Sequence, residues 1–258
     1  MKLKYRDKYK MIALSVNVNK IALLRNSRPG NFPCVLTFAQ SCINLGAHGI
    51  TVHPRPDGRH IRPRDVRQLA HLIAPLKDIE LNIEGNPFCM PTEKHPGFLA
   101  LIEDTKPDQC TLVPDNSDQL TSDHGFNLRE YETQLMPIIK RIKSLGVRTS
   151  IFIDPDLEQV KRAARIGADR VELYTGPFAK AWGSELSEKI FLQHMAAAKL
   201  AAELGMEVNA GHDLNLQNLK QFASIPELTE VSIGHALTVE ALTRGLKNAL
   251  QAFRSALN

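Results

Sequence analysis

Short apolar runs alternate with longer amphipathic segments along the whole chain. The runs at 50–53, 81–84, 170–173, 208–212 and 231–235 each contain or end in a titratable residue. Runs this short suit strands of a parallel sheet, which is covered on both faces and therefore loses the alternation of apolar and polar positions. The predicted strands cover residues 12–18, 49–53, 79–84, 109–113, 148–153, 170–174, 207–210 and 230–233.

The segments between these strands have helical periodicity. The clearest places Leu135, Ile139 and Ile142 on one face, with Pro137 inside it and expected to bend it. Glycines such as Gly146 and Gly205 stand just past predicted helices, where a left-handed closing residue is favoured. The predicted helices cover residues 34–45, 63–74, 93–104, 129–145, 156–166, 185–204, 215–223 and 238–256.

Eight strand–helix units in about 250 residues predict an α/β protein with a (β/α)₈ barrel, also called a TIM barrel. A doubly wound open sheet is the alternative, although no G-x-G-x-x-G follows the first strand. No low-complexity stretch or linker divides the sequence, so the prediction is one barrel domain over residues 1–258.

Composition narrows the class of protein. Of the 258 residues, 43% are hydrophobic and 23% are charged, which is ordinary for a globular protein. The net charge of +4 favours anionic partners but does not identify nucleic acid. The alternating basic residues of 2–10 are interpreted as a solvated leader. No run reaches the ~20 apolar residues of a membrane span. Asn17 and Asn19 interrupt the first apolar run, which argues against a signal peptide.

Four scattered cysteines lack C-x-x-C spacing. This pattern favours a reducing cytoplasm and argues against a zinc site built from them.

The candidate catalytic residues lie where the predicted strands end. Ligands of such barrels bind at the carboxyl ends of the strands. His53, Glu84, Glu172, His212 and His235 are candidates for proton transfer. Any one of them alone is better interpreted as a structural residue, but five together favour an active site. A metal is the other use of such a set, although neither H-x-H nor H-E-x-x-H spacing occurs.

Two segments are candidate anion sites. Gly234-His235 and Gly211-His212 precede helices after the last two strands, where barrels commonly bind phosphate. Arg55, Arg59 and His60 are three donors in one short loop, for which a solvated basic loop is the equal alternative. Two anion sites would imply one bisphosphate or two phosphorylated substrates.

Other loops add polar residues to the same end of the predicted barrel. The loop of residues 114–127 is a candidate lid in which Thr121 can meet a substrate phosphate, and the loop of residues 175–183 contains the single Trp182. The polar residues that follow strand one are Asn17, Asn19, Lys20, Arg25 and Arg28, of which Asn17, Asn19, Lys20 and Arg28 are predicted to bind substrate.

Several motifs closely resemble the pyridoxine 5'-phosphate synthase family. They run in order from strand one to strand eight and cover nearly the whole chain. They are V-N-V-N-K-I-A-L-L-R-N-S-R at 16–28, G-I-T-V-H-P-R at 49–55, R-H-I at 59–61, N-I-E at 82–84, L-V-P at 112–114, F-I-D at 152–154, V-E-L-Y-T-G at 171–176, V-N-A-G-H at 208–212 and S-I-G-H-A at 232–236.

The resemblance implies a barrel with extra helices, assembled as a cytoplasmic homo-oligomer (a homo-octamer), with neither a metal nor an organic cofactor. It implies condensation of 1-deoxy-D-xylulose 5-phosphate with 3-amino-2-oxopropyl phosphate, releasing phosphate and water by acid–base catalysis, in vitamin B6 biosynthesis. No nucleic acid or membrane partner is expected. The implied catalytic roles are His53 and Glu84 as proton acceptors, His212 as proton donor and Glu172 as stabiliser of cationic intermediates. The implied ligands of the deoxyxylulose phosphate are Arg55, His60 and Thr121. The implied ligands of the aminoketone phosphate are Asn17, Asp213, Gly234 and His235.

Two positions depart from the family pattern. Asn19-Lys20 stands where the family often has Asp-His, and Asp213 stands where it often has glycine. The Lys20 ammonium group can still hydrogen-bond a substrate, and Asp213 is a candidate partner for it.

Two alternative functions stay open on the sequence alone. One is another sugar-phosphate barrel enzyme, such as an epimerase or an aldolase. The other is a barrel that binds phosphorylated metabolites without catalysis.

Overall fold

Eight parallel strands close into a barrel in the computed structural model of this protein, which describes residues 11–116 and 119–258. Each strand pairs with its neighbour in the sequence, and β8 returns to pair with β1. The predicted (β/α)₈ barrel is confirmed, and the open-sheet alternative is wrong. The predicted basic leader at 2–10 and two positions of the predicted lid loop, 117 and 118, lie outside the described residues.

The elements follow the predicted order. The strands are β1 (Ala13–Asn17), β2 (Gly49–Val52), β3 (Glu80–Gly85), β4 (Gln109–Leu112), β5 (Arg148–Ile153), β6 (Arg170–Leu173), β7 (Glu207–Ala210) and β8 (Leu228–Ile233). The helices formed by the described residues are α1 (Asn19–Asn26), α2 (Val35–Asn44), α3 (Pro63–Ile73), α4 (Phe98–Thr105), α5 (Leu128–Ser144), α6 (Leu157–Arg165), α7 (Gly176–Ala181), α8 (Leu186–Glu203), α9 (Leu219–Phe222), α10 (His235–Arg244) and α11 (Leu246–Ala256).

The helix predictions fail at five places. The helices α1 and α7 occupy segments predicted as loops, and α9 is shorter than the predicted 215–223. The predicted helix 93–104 begins only at Phe98. The predicted helix 238–256 is two helices, because Gly245 between them has a φ of 76°, which an α-helix cannot contain.

The strands alternate in polarity, contrary to the prediction of uniformly apolar runs. Leu14, Val16 and their equivalents on other strands belong to the apolar core, while the intervening side chains meet one another inside the barrel. The Ser15 hydroxyl lies 2.7 Å from the Thr51 hydroxyl. Both faces are buried, but only the outer one is apolar. The interior of the barrel is therefore polar, and it leads towards the carboxyl ends of the strands.

A buried ion-pair network occupies the amino end of the barrel. Arg170, the first residue of β6, is fully buried; its Nη1 donates to Glu230 Oε2 at 2.6 Å and its Nε donates to Glu207 Oε2 at 2.7 Å. Gln109 Oε1 accepts from Nη1 of the same guanidinium at 2.8 Å. Arg148 on β5 forms a second ion pair with Glu80 on β3, two strands away. These contacts join β3 through β8 across the barrel.

Apolar side chains between the barrel and the surrounding helices form the core. Helix α5 buries Leu135, Ile139 and Ile142 there, the face predicted from its periodicity, and Pro137 lies within the helix. None of the helices in the described part of the chain combines the length and apolar character needed to cross a membrane.

Candidate active site

A cavity of about 780 Å³ opens at the carboxyl ends of the strands. Of the residues predicted to form the site, only Arg28 does not line this cavity; it is exposed beyond the end of α1. The predicted residues that do line it are Asn17, Asn19, Lys20, His53, Arg55, Arg59, His60, Glu84, Thr121, Glu172, His212, Asp213, Gly234 and His235.

Two asparagines after β1 connect the ends of the first three strands. Asn17 Nδ2 donates to Glu84 Oε2 at 3.4 Å, and its Oδ1 accepts from the Asn19 backbone N–H at 3.0 Å. The side chain of Asn19 then accepts from the His53 backbone N–H at 2.9 Å. An Asn side chain that bonds a backbone group two residues on is a common start of a turn, and here it leads into α1. These contacts fix His53 and Glu84 relative to each other.

The loop after β2 is held from both sides. Fully buried Arg25 on α1 forms an ion pair with Asp65 at 2.7 Å and donates to the backbone oxygen of His60 at 3.0 Å. His95 Nδ1 accepts from the Gly97 backbone N–H at 3.1 Å, so the proton of the neutral ring lies on Nε2, which donates to Pro54 O at 3.0 Å. Arg25 thus has a structural role outside the cavity, and buried His95, to which the sequence assigned no role, supports the active-site loop.

His53 and His60 face each other with ring centroids 6.1 Å apart. Burial, and next to it the Arg55 charge, lowers the pKa of His53 from its ordinary 6.5 to about 3. Burial, and next to it the neighbouring His53 ring, lowers the pKa of His60 to about 3, because two imidazoles this close do not readily carry a proton together. His60 Nδ1 accepts from the Ile61 backbone N–H at 2.9 Å, so the neutral ring carries its proton on Nε2. Both imidazoles are therefore uncharged at neutral pH, and His53 is able to accept a proton.

Arg55 connects this loop to the loop after β4. Its Nη1 donates to Asp115 Oδ2 at 3.0 Å and its Nη2 to the Gln119 backbone oxygen at 2.9 Å. Ser122 donates to the same Asp115 oxygen at 2.8 Å. The buried Nε of Arg55 has no hydrogen-bond partner among the residues that the structure describes. One donor of this guanidinium is thus left for another acceptor.

Two buried carboxyl groups lie below the histidines. Burial and the charge of Glu172 raise the pKa of Glu84 well above its ordinary value. Burial and the charge of Glu230 raise the pKa of Glu172, while His212 acts in the opposite direction. Like charges that are buried in one cavity do not readily ionise together. The pair therefore retains a proton at a pH where exposed carboxyl groups have lost theirs, and it can both donate and accept protons.

His212, which follows β7, is fixed on several sides. Its Nε2 lies 3.0 Å from Thr121 Oγ1, and its ring packs against Tyr174 with centroids 5.4 Å apart. Thr175 donates to the His212 backbone oxygen. The ring thus presents Nε2 next to a residue predicted to bind substrate phosphate.

Gly234 and His235 begin the ten-residue helix α10. A Cβ atom on Gly234 would lie 3.0 Å from Asn17 Cβ, and one on Gly211 would lie 2.1 Å from the Ser232 backbone oxygen. Only a residue without a side chain fits at Gly211. Free N–H groups at a helix start and closely packed backbone are features that suit a bound phosphate.

The sequence suggested that Asp213 pairs with Lys20. Within residues 11–116 and 119–258, the Asp213 carboxylate instead forms an ion pair with His212, with Oδ2 3.3 Å from Nδ1. His212 has the largest effect in lowering the pKa of Asp213, and the Lys20 charge adds a smaller effect.

Some lining residues were missed from the sequence. Phe152 points into the cavity from the end of β5, and Asp115 and Ser122 come from the loop after β4. The place of Phe152 and Asp115 at or shortly after a strand end was the available signal. Lys180 lines the cavity from α7, a helix that the sequence did not predict. Within residues 11–116 and 119–258, no group of three or more His, Cys, Asp or Glu side chains could hold a metal ion.

Replacing His60 by Asn is expected to make folding less sensitive to acid. The pKa of His60 is about 3 in the folded protein and near 6.5 in the unfolded chain. Between pH 3 and pH 6.5 the unfolded chain therefore binds more protons than the folded protein does. Stability from this group is therefore complete above pH 6.5 and is lost as the pH falls towards 3. We expect the change in unfolding free energy between pH 7 and pH 5 to be smaller in His60→Asn by on the order of 1–2 kcal/mol.

Urea denaturation of both proteins at the two pH values measures this difference. The raised carboxyl pKa values act in the opposite direction, since their stabilisation falls as the pH rises, but they are present in both proteins. An equal loss of stability in the two proteins would contradict the low pKa of His60.

Comparison with known proteins gives a family and a fold. Residues 14–258 match the family described as pyridoxal phosphate biosynthesis protein PdxJ. The chain is 51% identical over 243 residues to a pyridoxine 5'-phosphate synthase of Xanthomonas oryzae pv. oryzae (strain MAFF 311018), covering 94% of this chain and 95% of the relative. It is 50% identical over 234 residues to that of Xylella fastidiosa (strain M23), covering 90% of each.

A solved structure of lower identity supports the fold alone. The 3-hexulose-6-phosphate synthase from Salmonella typhimurium superposes with a TM-score of 0.61 at 15% identity, covering 95% of this chain and 98% of the other.

Proposed function

The chain belongs to the pyridoxal phosphate biosynthesis protein PdxJ family, and from this premise we propose that its cavity condenses 1-deoxy-D-xylulose 5-phosphate with 3-amino-2-oxopropyl phosphate. It is a synthase enzyme of vitamin B6 biosynthesis, as its sequence motifs predicted. The proposed products are pyridoxine 5'-phosphate, inorganic phosphate and water. One observation carries the proposal: a single cavity of about 780 Å³ contains several proton-transfer groups between two sets of anion-binding donors.

The proposed chemistry needs repeated proton transfer. The amine attacks the ketone to form a carbinolamine, which loses water to give an imine; phosphate loss and ring closure follow. Each dehydration requires a proton delivered to the leaving hydroxyl and another removed from nitrogen or carbon. His53 suits the acceptor role because its ring is neutral and therefore has a nitrogen free to take up a proton. His212 suits the donor role because its Nε2 lies at the Thr121 side of the cavity.

The two buried carboxyl groups, Glu84 and Glu172, can stabilise the positive charge that develops on nitrogen during the reaction. An iminium ion or a protonated amine between them would favour their ionised forms, because opposite charges attract strongly where water is excluded. Glu172 would stabilise that cation. Glu84 would accept a proton once the cation has favoured its ionised form. The hydrogen bond from Asn17 to Glu84 supports a fixed orientation for this acceptor.

The two phosphate groups are assigned to opposite sides of the cavity. Arg55, His60 and Thr121 would bind the deoxyxylulose phosphate, and the unpaired Nε of Arg55 supports this assignment. Asn17, Gly234, His235 and the backbone at Asp213 would bind the aminoketone phosphate, supported by the start of α10. Asn19 and Lys20 would contact substrate beside them. Arg28 remains a prediction from sequence without support from the cavity.

The proposed setting is the cytoplasm, with several chains in one assembly and neither metal nor organic cofactor. Four free cysteines support a reducing compartment. Exposed Leu23 and Leu24 on α1 and Leu242 on the adjacent α10 support a homo-oligomer, of which eight chains are expected. Light scattering of the purified protein tests this, and a mass equal to that of one chain would contradict it.

The test is incubation of purified protein with both phosphorylated substrates. We expect pyridoxine 5'-phosphate, seen by its absorbance, and inorganic phosphate in equal amounts, with neither formed when one substrate is left out. Hydrogen exchange between solvent and deoxyxylulose phosphate alone, without product from the pair, would instead indicate an epimerase or an aldolase. Binding without turnover would indicate a non-catalytic barrel.

A further inference from the structure

Asp213 adopts a backbone conformation that side chains rarely take. Its φ is +64°, in the left-handed region where glycine is favoured and where the Cβ atom of other residues is crowded. This conformation directs its carboxylate back towards the preceding residue, with Oδ2 at 3.3 Å from His212 Nδ1. The strained position thus produces one specific contact with a residue proposed to be catalytic.

The rest of the His212 ring is already in contact with other groups. Its Nε2 is 3.0 Å from Thr121 Oγ1, and Tyr174 and Phe152 pack against the ring with centroids 5.4 and 6.3 Å away. These contacts set the position of the ring, but aromatic packing does not decide which nitrogen carries the proton. Asp213 contacts the one nitrogen that faces away from Thr121.

The charge of Asp213 argues against a direct part in binding phosphate. A carboxylate has no proton to donate, and its charge repels an anion. The nearby His212 ring, and after it His235 and the Lys20 charge, lower its pKa, so the carboxyl group is ionised at neutral pH. His212 Nδ1 has no hydrogen-bond partner among the described residues, so the carboxylate acts on it through its charge: an anion 3.3 Å away favours a proton on that nitrogen over a lone pair.

We propose that Asp213 is a positioning residue that keeps a proton on His212 Nδ1 and so directs Nε2 towards the substrate. The inference rests on the proposed function of His212 as proton donor. With the first proton held on Nδ1, Nε2 takes up a proton from the reacting amine, which gives an imidazolium ion that the Asp213 carboxylate stabilises, and Nε2 then delivers this proton to the leaving hydroxyl group. A ring with mixed tautomers presents a free Nε2 in only a fraction of molecules.

The variants Asp213→Asn and Asp213→Gly test the inference by kinetics. We expect kcat to fall by about 10- to 100-fold in both, because the carboxylate is partly exposed and the other ring contacts remain. KM for the aminoketone phosphate should stay unchanged or decrease, since a repelling charge is removed. Asp104→Asn, which removes a half-exposed carboxylate paired with Arg67 outside the cavity, is the matched control and should keep the kcat of the unchanged protein. A raised KM with unchanged kcat would overturn the inference in favour of a binding role.

Nuclear magnetic resonance of protein labelled with ¹⁵N-histidine gives a measurement that needs no substrate. The His212 signals should report a proton on Nδ1 at neutral pH, and Asp213→Asn should give a mixture of tautomers. Asp213→Gly should show the same mixture with thermal stability equal to or above that of the unchanged protein, since glycine suits the left-handed position. Identical spectra in all three proteins would overturn the inference. Absence of synthase activity in the unchanged protein would refute the proposed function, and the spectra would still decide the tautomer.

Discussion

Replacing Glu84 by Gln is expected to lower kcat by about 10²- to 10⁴-fold, the usual contribution of a positioned acid–base group. Glutamine keeps the size of the side chain and its ability to accept the 3.4 Å hydrogen bond from Asn17, but it cannot exchange a proton. Because burial and Glu172 raise the pKa of Glu84, it exchanges protons nearer to neutral pH than an exposed carboxyl group does. KM for both substrates should change much less than kcat.

Steady-state kinetics with both substrates measure this effect. Glu103→Gln is the matched control, because it makes the same chemical change at a surface carboxylate paired with Arg141, and it should leave kcat unchanged. Circular dichroism spectra should agree for all three proteins. A Glu84→Gln enzyme within threefold of the unchanged kcat would remove Glu84 from the reaction.

Replacing Arg170 by Met is expected to destabilise the protein by about 3–5 kcal/mol, the usual cost when one partner of a buried ion pair is removed. Arg170 is fully buried and forms ion pairs with Glu207 and Glu230, both at 2.6 Å. Methionine fills much of the same volume but leaves Glu230 without the positive charge that favours its ionised form. The loss should be largest near neutral pH, where an unpaired buried carboxylate is least tolerated.

Urea denaturation followed by circular dichroism measures the unfolding free energy. Arg67→Met is the control, since Arg67 forms an ion pair with Asp104 in which both side chains are about half exposed. It should cost about 1 kcal/mol or less. Equal losses from the two replacements would mean that the network inside the barrel is no more important than a surface ion pair.

The barrel could be predicted because its signal is local. Most of the predicted helices are marked at one end by glycine, proline or a capping residue, such as Asp156, which accepts from the Glu158 and Gln159 backbone N–H groups at the start of α6. The order of these units alone restricts the topology. The two short helices α1 and α7 were missed because each directly follows a strand and lacks a side-chain cap at its start.

The polarity of the barrel interior was misread for a physical reason. In β6 the order Arg170, Val171, Glu172, Leu173 alternates strictly, yet every one of these side chains is buried. Burial of a polar residue requires a partner from another strand, such as Gln109 or Glu230 for Arg170. Partners that are distant in the sequence cannot be recognised from a single strand.

The cavity is formed at the strand ends, so the predicted site residues that lie at a strand end line it. His53, Glu84 and Glu172 each lie at a strand end and line it. Arg28 does not, because residues 19–26 form α1, and eight helical residues carry the chain ~12 Å along the helix axis. The roles of Arg25 and His95 depend on contacts between separate loops, which spacing along the chain does not reveal.

The most direct test of whether one cavity binds both phosphorylated substrates is a crystal structure of the Glu84→Gln variant soaked with the two together. The account predicts two phosphate groups in the same cavity, one beside Arg55 and His60 and the other at Gly234 and His235, with the reacting amine and ketone near Glu172 and His212. Density for a single phosphate group, or for either substrate outside this cavity, would contradict it.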